Sequence, residues 1–367
     1  MKKVCHVTSV HSSKDDRIFH KECLSLAKEY EVYLIAPNVS EEVDDDVHIL
    51  GVPLPEGRFS KLFALGAVYR KALEVDASVY HFHDPELMFI GLKLKLKGKK
   101  IIFDSHEDVP QQIFTKEYLP SWTKKPLSLL YAAIERCCLK HYDALISVTP
   151  SIVERLETIN SNTIMVTNYP SIRDMTVSRH NASADTDYVC FAGGVSQQYM
   201  HEYILDALRY TKVRYLLAGP AYPSYFERLK SHEMWNRVDY IGVVGHDKVS
   251  EIYQKAKVGL VLLDYSPNVG YHRGTLGVVK MFEYMMAGIP MVATDFDLWK
   301  EIVEGNGCGL CVDPHDVKAV ADAINFYIDN PDKAREAGER GRKAVMEKYN
   351  WSKQEETLLG LYRQLTD

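Results

Sequence analysis

A chain of 367 residues is long enough for two domains of ordinary size, and 46% hydrophobic with 26% charged residues lets each bury a core of its own. A net charge of −6 argues against general nucleic-acid binding, which needs a basic face. No run of about 18 apolar residues reads as a membrane span, and Met1–Val7 lacks the apolar core of a signal peptide, so the expectation is a cytoplasmic protein.

Short apolar runs alternate with helical patterns from end to end. Strands are predicted over Val4–Thr8, Glu31–Ala36, Val47–Val52, Val79–His83, Lys100–Ser105, Ala144–Val148 and Thr163–Thr167. A second series follows at Tyr188–Ala192, Val213–Ala218, Val238–Gly242, Gly259–Leu263, Pro290–Thr294 and Gly309–Val312. Between them, spacings such as Phe19, Cys23, Leu24, Leu26 and Ala27, or Leu127, Leu130, Ile134, Cys137 and Cys138, predict helices. Helices are also predicted over Asp316–Ile328, Asp332–Glu347 and Ser352–Leu365. Such alternation predicts an α/β fold of parallel sheets covered on both faces. The polar stretch Asn168–Asp187 reads as a linker, giving domains over 1–170 and 186–348, with 352–367 returning to the first. Ligands of such sheets bind off the carboxyl ends of the strands, here in a central cleft that the domains face.

Several clusters carry chemistry, each beside a plainer alternative. Asp16-Arg17 follows the first strand and offers a phosphate ligand or a helix-start ion pair. Asp44-Asp45-Asp46 is a solvated acid run rather than a metal site. His81 and His83 point to one face of a strand, a pair without an evident third metal ligand. Asp84 opens D-P-E and reads as an N-cap. Asp104-Ser-His-Glu-Asp108 is a cluster at a strand end, where His106 is the candidate for function and Glu107 or Asp108 can orient it or serve as a base. Lys93, Lys95, Lys97, Lys99 and Lys100, with Lys124-Lys125 and Trp122, suit an anionic membrane surface or a lipid-diphosphate acceptor; the alternative is a solvated helix end. The seven cysteines read as free thiols, Cys308 and Cys311 included.

The stretch Lys280–Asp295, KMFEYMMAGIPMVATD, places one acid, Glu283, on an apolar helix after a loop with Gly270, Gly274 and Gly277. A helix start after such a loop attracts phosphate, and a carboxylate one turn in can accept hydrogen bonds from sugar hydroxyls. The alternative is a solvated helix acid.

This segment resembles the signature of retaining, nucleotide-sugar-dependent glycosyltransferases of family 4, which have the GT-B fold of two Rossmann-like domains. DDRIFHKECLSLAKEYEVYLIAP, HFHDPELMFIGL, FDSHEDVP, Ser147–Ser151 and the tail YNWSKQEETLLGLYRQL resemble bacterial members that build surface polysaccharides. The resemblance implies that Glu283 holds the donor ribose and that Lys280 meets the diphosphate. It implies that Gly193-Gly194 approaches phosphate and that Val243 and Val244, between Gly242 and Gly245, read the base. His106 would contact the transferred sugar, with Glu107 beside it. Arg273, Thr275, Leu276 and Gly277 would line the donor loop. No metal or cofactor is implied beyond a UDP- or GDP-sugar co-substrate. The acceptor would be a growing glycan or a polyprenyl-diphosphate-linked one, on the inner face of the plasma membrane.

Two departures stand out. Thr275 occupies the place of the family's first acid, eight residues before Glu283. Val195–Met200 carries no cation where the family often has Arg and Lys; Arg273, Lys280 or Arg17 can compensate. A nucleotide-sugar 2-epimerase and a non-catalytic nucleotide-sugar-binding protein stay open as readings of the same fold. A dinucleotide oxidoreductase does not fit, because Thr8–Lys14 lacks a GxGxxG fingerprint.

Overall fold

The computed structural model describes residues 1–55, 58–116, 118–172 and 187–367. Most of the stretch read as a linker, residues 173–186, lies outside the described residues. The chain forms two compact units, Met1–Asn168 with Trp351–Asp367, and Tyr169–Asn350.

The first unit holds an eight-stranded sheet ordered β3-β4-β2-β1-β5-β6-β7-β8. Its strands are β1 (Lys3–Val7), β2 (Glu31–Pro37), β3 (Glu42–Asp44), β4 (Val47–Val52), β5 (Val79–Phe82), β6 (Lys100–Ser105), β7 (Ala144–Ser147) and β8 (Thr163–Met165). All pairs are parallel except β3 with β4. The order reverses between β1 and β5, so this sheet has its switch point there. Register pairs His6 of β1 with His81 of β5. Side chains alternate across a strand. His6, His81 and the residue after β5, His83, therefore share the face of Val4 and Val79.

That face packs with Ile18, Phe19, Leu358, Leu361 and Tyr362. The last three come from the final helix, Trp351–Thr366. Cys5, Val7, Tyr80 and Phe82 fill the opposite face with Leu87 and Leu94. The helix that the 3.6-residue spacing predicts near Phe19 begins as a π-turn, Ile18–Cys23. Its wider ladder includes a bond from the Glu22 N–H to the Arg17 carbonyl, 2.9 Å. Such turns are energetically poor in isolation and recur at functional sites. Strand β3 was not predicted, because its acidic residues read as a turn. The turn is only Asp45-Asp46, both with positive φ (46° and 63°), and Lys14 pairs with Glu42 and Asp44.

The second unit holds six parallel strands ordered β11-β10-β9-β12-β13-β14. They are β9 (Tyr188–Ala192), β10 (Arg214–Ala218), β11 (Val238–Gly242), β12 (Ala256–Val261), β13 (Met291–Thr294) and β14 (Gly309–Val312). Here the switch point lies between β9 and β12. Strand β12 begins three residues earlier than predicted. The helix Lys280–Ala287 is anchored on it: Tyr284 lies over Gly259, where a Cβ would come within 2.5 Å of the ring. The Tyr284 hydroxyl donates toward the Leu260 and Cys190 carbonyls at 3.1 and 3.3 Å. Gly288, at φ +72°, ends the helix in the left-handed conformation that glycine adopts without strain.

Candidate functional sites on the two domains

At the switch point of the first sheet a group of ionisable side chains is almost wholly buried. Arg17, Glu22, His6, His81, His83, Asp84 and Asp104 are each 4% exposed or less, while His106 lies half-buried above them. Asp104 is the hub. Its carboxylate takes Arg17 Nε at 2.9 Å and Nη2 at 2.8 Å, and its Oδ2 lies 3.2 Å from His106 Nε2. Arg17 also reaches Glu22 Oε1 at 3.0 Å and donates to the Val166 carbonyl at 2.8 Å.

Arg17 therefore does not offer its charge to a phosphate. The buried carboxylates draw the guanidinium inward, and only Asp16 of that pair is exposed, beside Lys21. His106 is oriented by Asp104 and not by Glu107 or Asp108. Glu107 is exposed, and Asp108 caps the helix Val109–Thr115 and pairs with Arg155 at 3.3 Å. Asp84 does not cap its own short helix. Its carboxylate turns back to the loop after β1, accepting from the Ser9 N–H at 2.6 Å and the Thr8 hydroxyl at 2.7 Å, with His11 3.2 Å away.

These contacts set the charges. Burial opposes ionising Asp104, but Arg17 and the histidines overcome it and hold its carboxyl well below the usual range. Burial pushes Glu22 well above that range. His6 and His81 are held well below the usual imidazole range by burial, and His83 is lowered to about 4 for the same reason. Burial also opposes ionising Asp84, yet His11 and the loop donors bring it to about 2.

An acid limit follows. The folded state binds fewer protons than the unfolded chain on His6, His81 and His83 below about pH 6.5. Their contribution is thus present above that pH and lost as pH falls toward the folded value of about 4 for His83. Glu22 opposes one of the three, because its raised value means that folding retains a proton there. A net two protons give a slope of about 3 kcal/mol per pH unit between roughly pH 6 and 5. Urea denaturation across that window, read on the first domain, should show the slope; a flat profile would mean that these rings are charged in the fold.

His6, Glu22, His81 and His83 offer ligand atoms within 4.8 Å of one another, as do His83, Asp104 and His106. The pair His81 and His83 thus has the neighbours that the sequence left unseen. Nothing in the spacing of His6, Glu22 and Tyr362 announces them, because sheet register and the final helix bring them in.

The second unit gathers a different set. Lys280 opens its helix, and its ammonium lies 5.1 Å from the Phe191 ring centre and 4.9 Å from that of Tyr199. A Cβ on Gly193 would come 2.1 Å from Lys280 Cε, so this glycine leaves the room the lysine occupies. Gly219 packs as tightly: its Cβ would meet the Gly193 carbonyl oxygen at 1.9 Å. Gly193 and Lys280 therefore meet at the carboxyl end of β9, beside the switch point, while Gly194, next in the chain, faces open space. Glu283, one turn on, is half-buried and accepts from the Tyr253 hydroxyl at 2.7 Å.

Thr275 is held locally. Its hydroxyl accepts from the Gly277 N–H at 3.0 Å and its carbonyl from Trp299 Nε1 at 2.6 Å. Leu276 is buried, whereas Arg273 and Gly277 are exposed. After β11, Val243 is 74% exposed and Val244 half-buried.

The lysine patch of the first domain is largely matched by acids. Lys95 and Lys100 pair with Asp143, Lys99 pairs with Asp76, and Lys93 lies over the Tyr69 ring. A stronger surface feature is the helix Ser121–Leu139, which exposes Trp122, Leu129 and Leu130 close to Lys124 and Lys125. Among the described residues no helix is long and apolar enough to cross a membrane.

The two units match two family models, Glycosyltransferase Family 4 over residues 17–167 and Glycosyl transferases group 1 over residues 173–344. The chain is 32% identical over 125 residues to alpha-maltose-1-phosphate synthase of Mycolicibacterium smegmatis. That match covers 32% of this chain and 30% of the relative, so the chain spans less than a third of that relative's length. In fold it is similar over its whole length to sucrose-phosphate synthase from Thermosynechococcus elongatus, with TM-score 0.80 at 16% identity and 99% of that chain covered. The Anabaena protein HepE, solved with UDP-glucose, gives TM-score 0.72 at 13% identity, covering 99% of this chain and all of the other. Both likenesses establish the GT-B architecture.

Proposed function

We propose that this chain, built from one domain of each glycosyltransferase model, moves a sugar from a nucleoside diphosphate sugar to a hydroxyl acceptor with retention. The observation that carries the reading is the meeting of Lys280, Gly193 and the start of the Lys280 helix at the end of β9, with Glu283 one turn further on. Departure of a diphosphate builds negative charge, and a fixed ammonium with helix N–H groups stabilises it. Glu283, steadied by Tyr253, accepts from ribose hydroxyls, and the segment of exposed Val243 and half-buried Val244 reads the base through its backbone. Thr275 gives the donor sugar a neutral hydrogen-bonding group where the family's acid stands. No metal is assigned a role.

HepE, solved with UDP-glucose, makes UDP the first donor base to try. For the acceptor we propose a growing surface glycan carried on a polyprenyl diphosphate. Its support is the exposed Trp122, Leu129 and Leu130 face with Lys124 and Lys125, a set that suits the surface of an anionic bilayer better than the lysines near Asp143. A non-catalytic nucleotide-sugar-binding protein is the second reading, favoured by the cation-free segment Val195–Met200.

Thermal stabilisation by UDP-, GDP-, ADP- and dTDP-sugars, with NAD as control, tests the donor site, because a ligand that binds only the folded state raises stability by mass action. One nucleotide sugar should shift the melting temperature, and Glu283→Ala should abolish the shift. Hydrolysis or transfer of that donor then separates enzyme from binding protein. No shift with any nucleotide at millimolar concentration would sink both readings.

A further inference from the structure

The buried rings of the first domain are joined end to end. His81 Nδ1 lies 3.0 Å from the Tyr362 hydroxyl, which lies 3.1 Å from His6 Nε2. His6 Nδ1 is 3.0 Å from His83 Nε2, and His83 Nδ1 is 3.3 Å from His106 Nε2 and 3.7 Å from Asp104 Oδ2. We propose that the contacts from His81 through Tyr362 and His6 to His83 are one directed chain of hydrogen bonds, and that His83 and His106 both turn an N–H to Asp104, which holds His106 as its Nε2–H tautomer and leaves its Nδ1 unprotonated to accept from a substrate hydroxyl.

The direction follows from the ends. Asp104 is ionised beside Arg17 and can only accept. His106 Nε2, 3.2 Å from its Oδ2, therefore carries the proton. His83 Nδ1, 3.7 Å from the same oxygen, turns its N–H there as well, so its 3.3 Å approach to His106 Nε2 is two donors converging on one carboxylate and not a hydrogen bond between the rings. His83 Nε2 is then an acceptor and takes the His6 Nδ1–H. His6 Nε2 accepts from the Tyr362 hydroxyl, whose oxygen accepts the His81 Nδ1–H. The chain ends at His81 Nε2, a buried atom with no hydrogen-bond partner among the described residues.

The opposite direction gives every ring an Nε2–H. It aims the His83 Nδ1 lone pair at a carboxylate and leaves a buried N–H orphaned at His81. An orphaned buried donor is rarer in proteins than an under-used acceptor.

A metal held by His6, Glu22, His81 and His83 would take nitrogens of His6 and His83 that this chain already uses, and it would sit beside the Arg17 guanidinium. The groups facing the rings are Glu22 and Arg17 from the π-turn, Tyr362 from the final helix, Asp104 and His106 from the end of β6, and Asp84 with His11 at the strand ends. Among the described residues Asp104 is the nearest carboxylate, 3.2 Å from His106; Glu22 comes no nearer than 3.7 Å to a ring nitrogen, and burial opposes its charge. Burial lowers His6, His81 and His83, in keeping with neutral rings.

His6, His81, His83 and Tyr362 are thus positioning residues, and the task given to His106 rests on the proposed sugar transfer. The tautomers do not, so they are read without substrate. Long-range proton–nitrogen NMR on protein labelled with 15N at histidine, each ring assigned by a single substitution, should show His6, His81 and His83 protonated on Nδ1 at pH 7.5. His106 should be protonated on Nε2. Four Nε2–H rings, or a doubly protonated ring among the three buried ones, would overturn the proposal.

Tyr362→Phe keeps the ring in the core and removes the link. His81 should lose its fixed tautomer while His6, still donating to His83 Nε2, keeps its own with His83 and His106; a change at His6 or His83 would mean that Asp104 does not anchor the chain. Adding zinc alone should leave the spectrum unchanged. Stoichiometric zinc uptake that shifts His6, His81 and His83 together would replace the chain with a metal site. Failure of the donor panel would leave all these readings intact, so the two proposals fall separately.

Discussion

Arg17→Met is expected to destabilise the first domain by about 3–5 kcal/mol, the usual cost of removing one partner from a buried ion pair. The guanidinium is 4% exposed, bridges Asp104 and Glu22, and ties the π-turn to the Val166 carbonyl. Methionine fills much of the same volume, so packing is largely kept while Asp104 is left as a buried anion facing only imidazole N–H groups. Urea denaturation of the variant measures the loss. Asp104→Asn on the Arg17→Met background should recover part of it, since a neutral amide no longer needs the counter-charge. A surface arginine held for a phosphate would behave otherwise. Its replacement would change stability by roughly 0.5 kcal/mol or less and show mainly in donor affinity. The experiment therefore separates the sequence expectation for Arg17 from the buried role that the structure gives it.

The contrast shows what a sequence carries. Strand positions and the two parallel sheets were legible because runs such as Val32–Ala36 and Val189–Ala192 must be covered on both faces, and the pattern of apolar side chains records that need. Lys280, Gly193 and Glu283 were legible because local segments, a strand end and a helix start, create their surroundings. The histidine cluster was not. His81 and His83 announced a shared face, but His6 joins them through strand register, Tyr362 through the final helix, and Glu22 through an extra residue in a helical turn. A buried Glu22 also runs against composition, since nothing in IFHKECLSL separates an acid facing a sheet from one facing water. Asp84 erred in the same way: D-P-E is a sound cap signal, but the loop Thr8-Ser9 competes for the carboxylate with better geometry.

Lys280→Met is expected to lower transfer by on the order of 10²–10³-fold, the scale for removing one preorganised group from developing charge. Lys280 is the cation that lies against Gly193, and Val195–Met200 supplies no second one from sequence. The fold should tolerate the change, because the alkyl stem still lies along Phe191 and Tyr199 and only the ammonium is lost. An internal check is available in His201, which is buried in the same unit and bonded to the Tyr215 hydroxyl at 2.9 Å. Burial first, and the Lys280 charge second, lower its pKa to about 3. In the variant that pKa should rise modestly with the melting temperature unchanged, showing that a charge and not a packing contact was removed. Lys280→Arg should not restore full activity, because a planar fork cannot occupy the space that Gly193 leaves for a single ammonium. Gly193→Ala, which displaces the end of Lys280 without altering its charge, should then show a loss of comparable size. Full activity in Lys280→Met would remove the diphosphate from this end of β9 and with it the donor site proposed there.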